Sequence, residues 1–274
     1  MKPHNFEYLR KFLHETTGLV IGPDKAYLVD SRLVPVARRR NLNTLDELVE
    51  RLASKTDASL RTEVTDAMMT NESFFFRDIA PFENFRRVVL PKIVEARRRA
   101  GRPVVRIWSA ACSSGQEPYT LAMILKEESA LLAGVRAEIV GTDLSTEIVA
   151  KAKAGIYSQF EVQRGLPVQL LVKYFGKVGD QWQIAEPLRS MINFRCFNLL
   201  DDLAVLGRFD VVFCRNVLIY FDNTTKASIL RRIARTVLDD GVLYLGGAES
   251  PIGITDAFKL MPDMRGVYAL ARAA

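Results

Sequence analysis

The stretch that decides the fold is "RIWSAACSSGQEPYTLA", residues 106–122, which begins as an apolar strand and ends as a helix. Between the two lies a run of small residues, Ser109 to Gly115. Nucleotide-binding folds use small residues at this kind of corner, because the backbone must approach a ligand and the helix must pack on the strand. Since the run contains a single glycine, two interpretations stay open: a corner that holds a nucleotide-like molecule, or an ordinary strand-to-helix turn.

Strands and helices alternate on both sides of this corner. Apolar strands are predicted over 103–110, 137–143, 191–197, 209–216 and 241–247, and helices over 117–132, 145–155 and 223–241. Such alternation predicts an α/β fold with a doubly wound, mostly parallel sheet. The stretch "AFKLMPDMRGVYALA", 257–271, predicts two more strands around Pro262 and Asp263. A parallel sheet closed by a late hairpin is typical of the class I S-adenosylmethionine-dependent methyltransferase fold.

Two segments depart from this alternation. Residues 1 to about 75 show helical spacing, with Gly18 ending the first helix and Thr44 as the N-cap of a later one, which predicts an N-terminal helical domain. Residues 155–190 contain glycine turns and short alternating pieces, which predicts a small inserted β-subdomain. We therefore expect a helical domain with its linker over 1–78 and a methyltransferase domain over 79–274.

Composition limits the chemistry. The 274 residues include two histidines and three widely spaced cysteines, so zinc hydrolysis, histidine acid–base catalysis and a metal site are not expected. No stretch approaches the roughly 18 apolar residues of a membrane span, and the N-terminus lacks a signal sequence, which indicates a cytoplasmic protein. The net charge of +6 is concentrated in 86–106 and 32–40, which favours an anionic partner or a solvated helix face.

Polar residues at the predicted strand ends are the first candidate site residues. Asp143 closes the second strand, where a carboxylate accepts hydrogen bonds from ribose hydroxyls; the alternative is an N-cap for the next helix. Asn198 and Leu199 follow the third strand, suited to an adenine edge and face. Arg215 and Asn216 end the fourth strand and need a ligand or a neighbour, because unpartnered burial costs several kcal/mol.

The stretch "TNESFFFRD", residues 70–78, joins the helical segment to the sheet segment. Asn71, Ser73 and Arg77 surround three consecutive phenylalanines, which cannot all face one core in a helix. Polar groups over aromatic side chains at this position favour a lid over the site. The alternative is a simple hinge packed by Phe74 and Phe76.

Four stretches, in this order and spacing, carry a resemblance that covers almost the whole chain: "TNESFFFRD", "RIWSAACSSGQEPYTLA", "FNLLD" and "FCRNVLIYF". The chain resembles the CheR-type chemotaxis receptor protein-glutamate O-methyltransferases. This resemblance implies S-adenosylmethionine as methyl donor, S-adenosylhomocysteine as product, and glutamates of methyl-accepting chemotaxis receptors as acceptors. It departs from the family at Ala248, where a histidine is common, and at Pro35, which removes a backbone hydrogen bond inside the basic helix.

The resemblance also implies residue roles. Arg77 and Tyr220 would flank the transferred methyl group, and Arg32 and Arg38 would face the acidic helical bundle of the receptor. The inserted subdomain would hold a receptor C-terminal peptide, as in some family members. The implied cofactor-binding residues are Asn71, Ser73, Arg77, Glu117, Asp143, Asn198, Leu199, Arg215 and Asn216.

This chemistry suits the shortage of histidine, because a glutamate with a reference pKa near 4.3 is already a nucleophilic carboxylate at pH 7. Two alternatives stay open. One is a nucleic-acid methyltransferase. The fourth strand lacks the proline-containing motif of amino-methylating enzymes, so no nucleic-acid partner is expected. No membrane insertion is expected either, since the sequence has no apolar span. The other is a non-catalytic module that binds S-adenosylmethionine and reports its level. A dehydrogenase is disfavoured because the corner lacks GxGxxG.

Overall fold

The computed structural model describes residues 1–271 and divides the chain into two compact units. The first contains Met1–Thr70 and Tyr220–Thr225; the second contains Asn71–Ile219 and the chain from Lys226 onwards. The division after Thr70 precedes the predicted boundary at residue 78. Among residues 1–271, no helix combines the length and apolar character that crossing a membrane requires.

The first unit is helical, as predicted. Gly18 ends the first helix in the left-handed conformation with φ 79°, and Thr44 caps the third helix by accepting a 3.1 Å hydrogen bond from the Glu47 N–H. One face of each helix packs into a shared apolar core that includes Leu9, Leu33 and Leu48. The four helices are α1 (Pro3–Thr17), α2 (Ala26–Arg39), α3 (Leu45–Ala53) and α4 (Ala58–Met68), with a 3-10 turn at Pro23–Lys25. Pro35 lies within α2, which continues through it.

The second unit contains two sheets with helices between the strands. Over residues 71–271 the strands are β1 (Val104–Ala110), β2 (Arg136–Asp143), β3 (Ile156–Tyr157), β4 (Phe175–Val178), β5 (Gln181–Ile184), β6 (Ile192–Cys196), β7 (Phe209–Cys214), β8 (Val237–Leu245), β9 (Phe258–Leu260) and β10 (Val267–Leu270). The helices are α5 (Ala80–Asn84), α6 (Leu90–Arg99), α7 (Gln116–Glu127), α8 (Thr146–Ala154), α9 (Gln159–Gln163), α10 (Val168–Tyr174), α11 (Glu186–Arg189) and α12 (Asn223–Thr236), which belongs to this unit from Lys226. A π-helical turn, Phe85–Val89, joins α5 to α6.

The large sheet has the order β6-β2-β1-β7-β8-β10-β9. Strands β6, β2, β1, β7 and β8 are parallel, whereas β10 pairs antiparallel with both β8 and β9. This arrangement confirms the predicted parallel sheet with a closing hairpin. Every residue of β7 is buried, as expected for a parallel strand covered on both faces, and Phe213 stacks on Tyr244 at 4.3 Å.

The inserted segment forms the second sheet, with the order β3-β5-β4 and antiparallel pairing throughout, as the β-subdomain prediction expected. Three short helices, α9 to α11, accompany these strands. Two helix ends were predicted wrongly: the helix expected over 117–132 ends at Glu127, and the helix expected over 223–241 ends at Thr236, where β8 begins at Val237. Val237 is fully buried and pairs with Phe209 across an irregular register, so tertiary pairing outweighs the helical pattern there.

Candidate active site at the carboxyl edge of the sheet

The candidate residues meet at one edge of the large sheet, because parallel strands all end on the same side. β1 leads into the corner that precedes α7, β2 ends at Asp143, and β6 leads towards Asn198 and Leu199. β7 leads directly into Arg215 and Asn216. The chain leaves β1 towards β2 on one side and β7 lies on the other, so this edge is the topological switch point where open α/β sheets bind ligands.

The corner after β1 has a backbone that ordinary side chains rarely adopt. Ala111 and Ser113 have φ values of 53° and 51°, and Gly115 has φ 94°. The buried carboxylate of Asp143 stabilises this path, because its Oδ2 accepts a 2.8 Å hydrogen bond from the Ser113 N–H. Its Oδ1 accepts at 3.2 Å from the N–H of Ser145, and the side chain of Ser145 caps α8. The N-cap of α8 is therefore Ser145 and not Asp143. The backbone strain at Ala111 and Ser113 lies where a ligand would approach the corner.

A buried arginine connects three parts of the edge. The guanidinium of Arg215, with a side chain 1% exposed, donates from Nη1 to Glu117 Oε2 at 3.0 Å. Its Nη2 donates to the carbonyl oxygen of Arg77 at 3.0 Å and to Asp78 Oδ2 at 2.8 Å, and the group lies over the Phe82 ring. Arg215 Nε is buried without a hydrogen-bond partner among the described residues. The expectation that Arg215 needs a ligand or a neighbour is met by its acidic neighbours Glu117 and Asp78, and Nε remains as a donor for a ligand.

The segment 71–78 is anchored by an aromatic side chain that the sequence analysis did not single out. Phe75 is fully buried and meets Tyr157 and Phe175 edge-on, with ring centroids 5.0 and 5.6 Å apart. Of the pair that the hinge alternative named, Phe76 is half-buried and packs edge-on against Phe82 with ring centroids 5.9 Å apart, and Phe74 is half-buried. Because Tyr157 and Phe175 belong to the inserted subdomain, that subdomain holds the segment in place.

Arg77 lies in a small charged cluster within this segment. Its Nη1 donates to the Glu72 carbonyl oxygen at 3.0 Å, and its guanidinium lies over the Phe74 ring at 5.5 Å. Arg164, from the inserted subdomain, also lies over Phe74, at 4.4 Å, and donates to the Glu72 carboxylate at 2.6 Å. This bond to Arg164 lowers the pKa of Glu72. Arg164 is paired with Glu72, whereas Arg77 forms no ion pair with a carboxylate among residues 1–271, so its charge remains available for a ligand.

The remaining predicted cofactor residues have mixed environments. The carbonyl oxygen of Asn71 accepts a 2.7 Å hydrogen bond from the Ser113 hydroxyl, which joins the segment to the corner. Asn198 uses its Oδ1 to accept from the Leu200 N–H at 3.0 Å. Ser73 is half-buried, whereas Leu199 is buried.

Two buried cysteines flank the edge, Cys112 in the corner and Cys214 at the end of β7. Burial, reinforced by Asp143 and Glu117, raises the pKa of Cys112 well above its usual value. Burial, with Glu249 and Glu117, does the same for the pKa of Cys214. Both thiols are therefore neutral at pH 7 and act as small apolar side chains rather than nucleophiles.

Three predicted residues belong to the first unit. Arg32 donates to the carbonyl oxygens of Met68 and Met69 and, at 2.9 Å, to Thr70 Oγ1, so it caps the end of α4. Arg38 is exposed on the same helix. The carbonyl oxygen of Tyr220 accepts a 3.0 Å hydrogen bond from the Val20 N–H. Of the two basic candidates, Arg38 is the one whose charge faces solvent.

Sequence reasoning missed Glu249, a buried carboxylate in the loop after β8 that accepts backbone hydrogen bonds from the loop after β7. The only signal in the sequence is an acidic residue closely following an apolar strand. The basic run 86–106 turned out to be largely neutralised: Arg86 pairs with Glu128, and Arg97 pairs with both Asp210 and Asp240.

The side chains of the edge have the chemistry that S-adenosylmethionine requires. The carboxylate of Asp143 and the amides of Asn71, Asn198 and Asn216 offer acceptors and donors for a nucleoside, and Arg215 leaves its buried Nε as a further donor. The strained corner provides close backbone approach. The sheet order and this edge together define a class I S-adenosylmethionine-dependent methyltransferase.

Comparison with known proteins identifies the family. The family model "CheR methyltransferase, SAM binding domain" matches residues 71–267, and "CheR methyltransferase, all-alpha domain" matches residues 4–69. Chemotaxis protein methyltransferase 1 of Pseudomonas aeruginosa is 43% identical over 272 residues, covering 98% of both chains. Chemotaxis protein methyltransferase Cher2 of Pseudomonas putida is 41% identical with the same coverage, and a Vibrio anguillarum chemotaxis protein methyltransferase is 38% identical over 92% of this chain and 90% of its own length. The chain belongs to the CheR methyltransferase family, and S-adenosylmethionine is its methyl donor.

Proposed function

We propose that this protein transfers the methyl group of S-adenosylmethionine to glutamate side chains of chemoreceptors, forming methyl esters that serve sensory adaptation. The family and the chemotaxis relatives described above support the reaction and its setting. A glutamate as the acceptor residue is supported by the guanidinium of Arg77, which donates to a backbone carbonyl oxygen and suits a carboxylate. The domain roles follow: 1–78 contains the receptor-facing helical domain and a linker whose Asn71, Ser73 and Arg77 join the cofactor site, and 79–274, with its insertion at 155–190, provides the rest of that site.

The observation that carries this proposal is the Arg215 cluster. Arg215 ends β7 at the cofactor edge, yet it donates to the carbonyl oxygen of Arg77 and to the carboxylate of Asp78. Because of these bonds, the segment with the acceptor-binding arginine is attached to the strand that borders the cofactor. Glu117 completes the arrangement by balancing the buried charge.

Each candidate takes a role from its chemistry. Asp143 accepts hydrogen bonds from the ribose hydroxyls. Asn198 hydrogen-bonds the adenine edge, and Leu199 packs on the adenine face. Arg215 and Asn216 bind the amino-acid part of the cofactor. Asn71, Ser73, Arg77 and Glu117 complete the cofactor site.

The reaction needs orientation more than proton transfer. When bound, S-adenosylmethionine supplies a methyl group on a positively charged sulfur. The acceptor glutamate is ionised at pH 7, so no side chain has to remove a proton. Arg77 and Tyr220 orient the carboxylate oxygen, and the aromatic segment around Phe75 excludes water. We expect Arg77→Ala to weaken both cofactor binding and turnover, and unchanged cofactor binding would contradict the role given to it.

The receptor bundle docks on α2 by charge complementarity. Arg38 is exposed there, whereas Arg32 is committed to the end of α4, so the two arginines serve differently. We expect Arg38→Ala to raise the KM for receptor without changing S-adenosylhomocysteine affinity or the melting temperature. Arg32→Ala should also lower the melting temperature. An unchanged receptor KM for Arg38→Ala at low salt would refute docking through this residue.

The inserted sheet provides an edge for a receptor C-terminal peptide. β4 is an outer strand of the order β3-β5-β4, and a Cβ added at Gly176 would meet no atom within 4 Å. An extended peptide can add there as a fourth strand. Fluorescence anisotropy with the labelled C-terminal peptide of the host's receptor measures this. The Ala185 N–H donates to the Tyr174 carbonyl oxygen and the pattern alternates along the pair, so the Gly176 N–H faces β5 and the Lys177 N–H faces the free edge. Lys177→Pro, which removes that outward donor, should abolish the binding; equal affinity for wild type and variant would refute the strand addition.

A methyl-transfer assay tests the function itself. The protein is mixed with methyl-labelled S-adenosylmethionine and membranes carrying the host's chemoreceptors, and the receptor bands are then treated with base. Volatile methanol released from these bands identifies a carboxyl methyl ester. Label that stays after base indicates another acceptor atom, and transfer to RNA but not receptor would favour the nucleic-acid alternative. Tight cofactor binding with no transfer would favour the regulatory module.

A further inference from the structure

Glu249 occupies an unusual position in the loop after β8. Its side chain is buried, with the residue 8% exposed, and its carboxylate faces backbone N–H groups rather than a cation. Oε2 accepts from Asn216 at 2.8 Å and from Gly246 at 2.7 Å. Oε1 accepts from Val217 at 2.9 Å and Leu218 at 2.7 Å, with a longer contact to the Ile219 N–H. One carboxylate thus binds five backbone donors.

The local geometry explains why these donors converge. Asn216 has φ 59°, and a 3-10 turn begins at Leu218, so successive N–H groups point to one side and lack acceptors within the turn. A carboxylate there satisfies the donors and their partial positive charge. Gly246 makes room for it, because a Cβ at this position would lie 2.7 Å from both Asn216 Nδ2 and Glu249 Oε2.

The loop held in this way carries the residues that the proposed function uses. Arg215 and Asn216 stand at its start, and Ile219 leads directly into Tyr220. We propose that Glu249 is a positioning residue for methyl transfer, which sets the loop 215–219 through its backbone and so places the cofactor-binding side chains. This inference rests on the proposed function, because it concerns the same site. Glu249 itself touches neither ligand in this proposal.

A carboxylate is required rather than a neutral isostere. Glu249→Gln keeps the size of the side chain, but its NH₂ group would face N–H donors that need an acceptor. The loop would shift to relieve the conflict, and a displacement of about 1 Å at a reacting centre costs on the order of a hundredfold in rate. We expect kcat to fall at least about tenfold and the Kd for S-adenosylhomocysteine to rise by a similar factor.

Asp210 provides a matched control on the same strand. It is 1% exposed, lies at the amino end of β7, and accepts hydrogen bonds from the Arg97 side chain and, at 2.6 Å, from the Arg106 N–H. Asp210→Asn therefore disturbs an equally buried carboxylate at the edge away from the site. Both variants should melt earlier than the wild type, but only Glu249→Gln should change kcat and the Kd.

The experiment measures S-adenosylhomocysteine binding by calorimetry, receptor methylation kinetics, melting temperature and amide hydrogen exchange in the full-length protein. Faster exchange confined to 216–219 in Glu249→Gln, with weaker binding, supports the proposal. Wild-type Kd and kcat in Glu249→Gln would overturn it, as would an equal loss in Asp210→Asn. If Glu249→Gln does not fold, Gly246→Ala carries the test, because it disturbs the same contacts while keeping the carboxylate; wild-type kinetics in that variant would overturn the proposal.

The two proposals fail in different ways. Wild-type protein that neither binds S-adenosylhomocysteine nor methylates receptors would refute the proposed function. Amide exchange would still report whether Glu249 sets the loop. Wild-type protein that is active while Glu249→Gln is equally active would refute the positioning role alone.

Discussion

Neutralising Glu117 tests whether the buried cluster at the sheet edge depends on charge balance. The change is Glu117→Gln, which keeps the shape of the side chain. Glu117 accepts from Arg215 Nη1 through Oε2 and from the Ser109 hydroxyl at 2.8 Å through Oε1. The glutamine keeps an acceptor oxygen for Arg215, and the Ser109 hydroxyl can accept from its NH₂ group, so the change removes chiefly the negative charge opposite Arg215.

The magnitude follows from what remains around Arg215. Breaking a buried ion pair costs about 3–5 kcal/mol when the remaining charge is left alone. Here Asp78 still accepts from Nη2 at 2.8 Å, although its side chain is 53% exposed and its attraction is therefore screened. The loss is then nearer to one charged hydrogen bond, about 2 kcal/mol. For a unit of about 200 residues this corresponds to a melting temperature lower by about 4–8 °C.

Differential scanning calorimetry measures the melting temperature, and titration calorimetry measures S-adenosylhomocysteine affinity. We expect both to fall, because Arg215 loses its orientation as well as its counterion. The control is Glu95→Gln, which removes an exposed partner of Arg99 one helical turn away and should leave both quantities unchanged. A melting temperature within about 1 °C of wild type for Glu117→Gln would refute this account of the cluster.

Three further outcomes are expected. Tyr220→Phe should lower kcat more than cofactor affinity in steady-state kinetics, and an equal loss of both would assign Tyr220 to binding instead. Cys196 is the exposed cysteine, so DTNB at pH 8 should modify one thiol in the native protein and all three in denaturant; a second fast thiol would contradict the burial of the others. Hydrogen bonds from Arg97 hold the pKa of Asp240 in the folded protein below its usual 3.8. Such a carboxylate stabilises the fold at any pH above its unfolded-state pKa, and this stabilisation is lost as the pH falls through the folded-state pKa. The difference in urea midpoint between wild type and Asp240→Asn should therefore be constant above about pH 5 and shrink towards pH 2, and a difference that persists there would contradict the assignment.

The sheet could be predicted because its strands are local patterns. Each buried parallel strand is an apolar run, and the corner at 109–115 is a run of small residues, so both are visible in the sequence alone. The predicted end of α12 was wrong because a contact between residues far apart in the sequence decides it. Val237 follows a good helical pattern, and only its pairing with Phe209, distant in sequence, makes it a strand residue.

The sequence predicted which strand ends carry the polar residues of the candidate site, but it did not predict the hydrogen bonds that join these residues. Asp143 and Arg215 were found because polar residues that follow buried strands are unusual. The bonds from Arg215 to the Arg77 carbonyl and from Asn216 to Glu249 join residues far apart in the chain, and no local signal marks them. Arg32 shows the same difficulty, because its acceptors are carbonyl oxygens at the end of another helix.

The position of Glu249 along the chain has a consequence for how the protein is made. The edge takes its first contributor from Asn71 and its last from Glu249, so nearly the whole second unit must leave the ribosome before the loop after β7 can close. Contacts of such long sequence separation form late and slowly. A nascent chain that has folded through β7 therefore exposes unsatisfied N–H groups at Asn216 and Val217 until the next strand and its loop arrive. On the proposed function, a chain that ends before Glu249 would bind the cofactor more weakly, because it lacks the carboxylate that sets this loop.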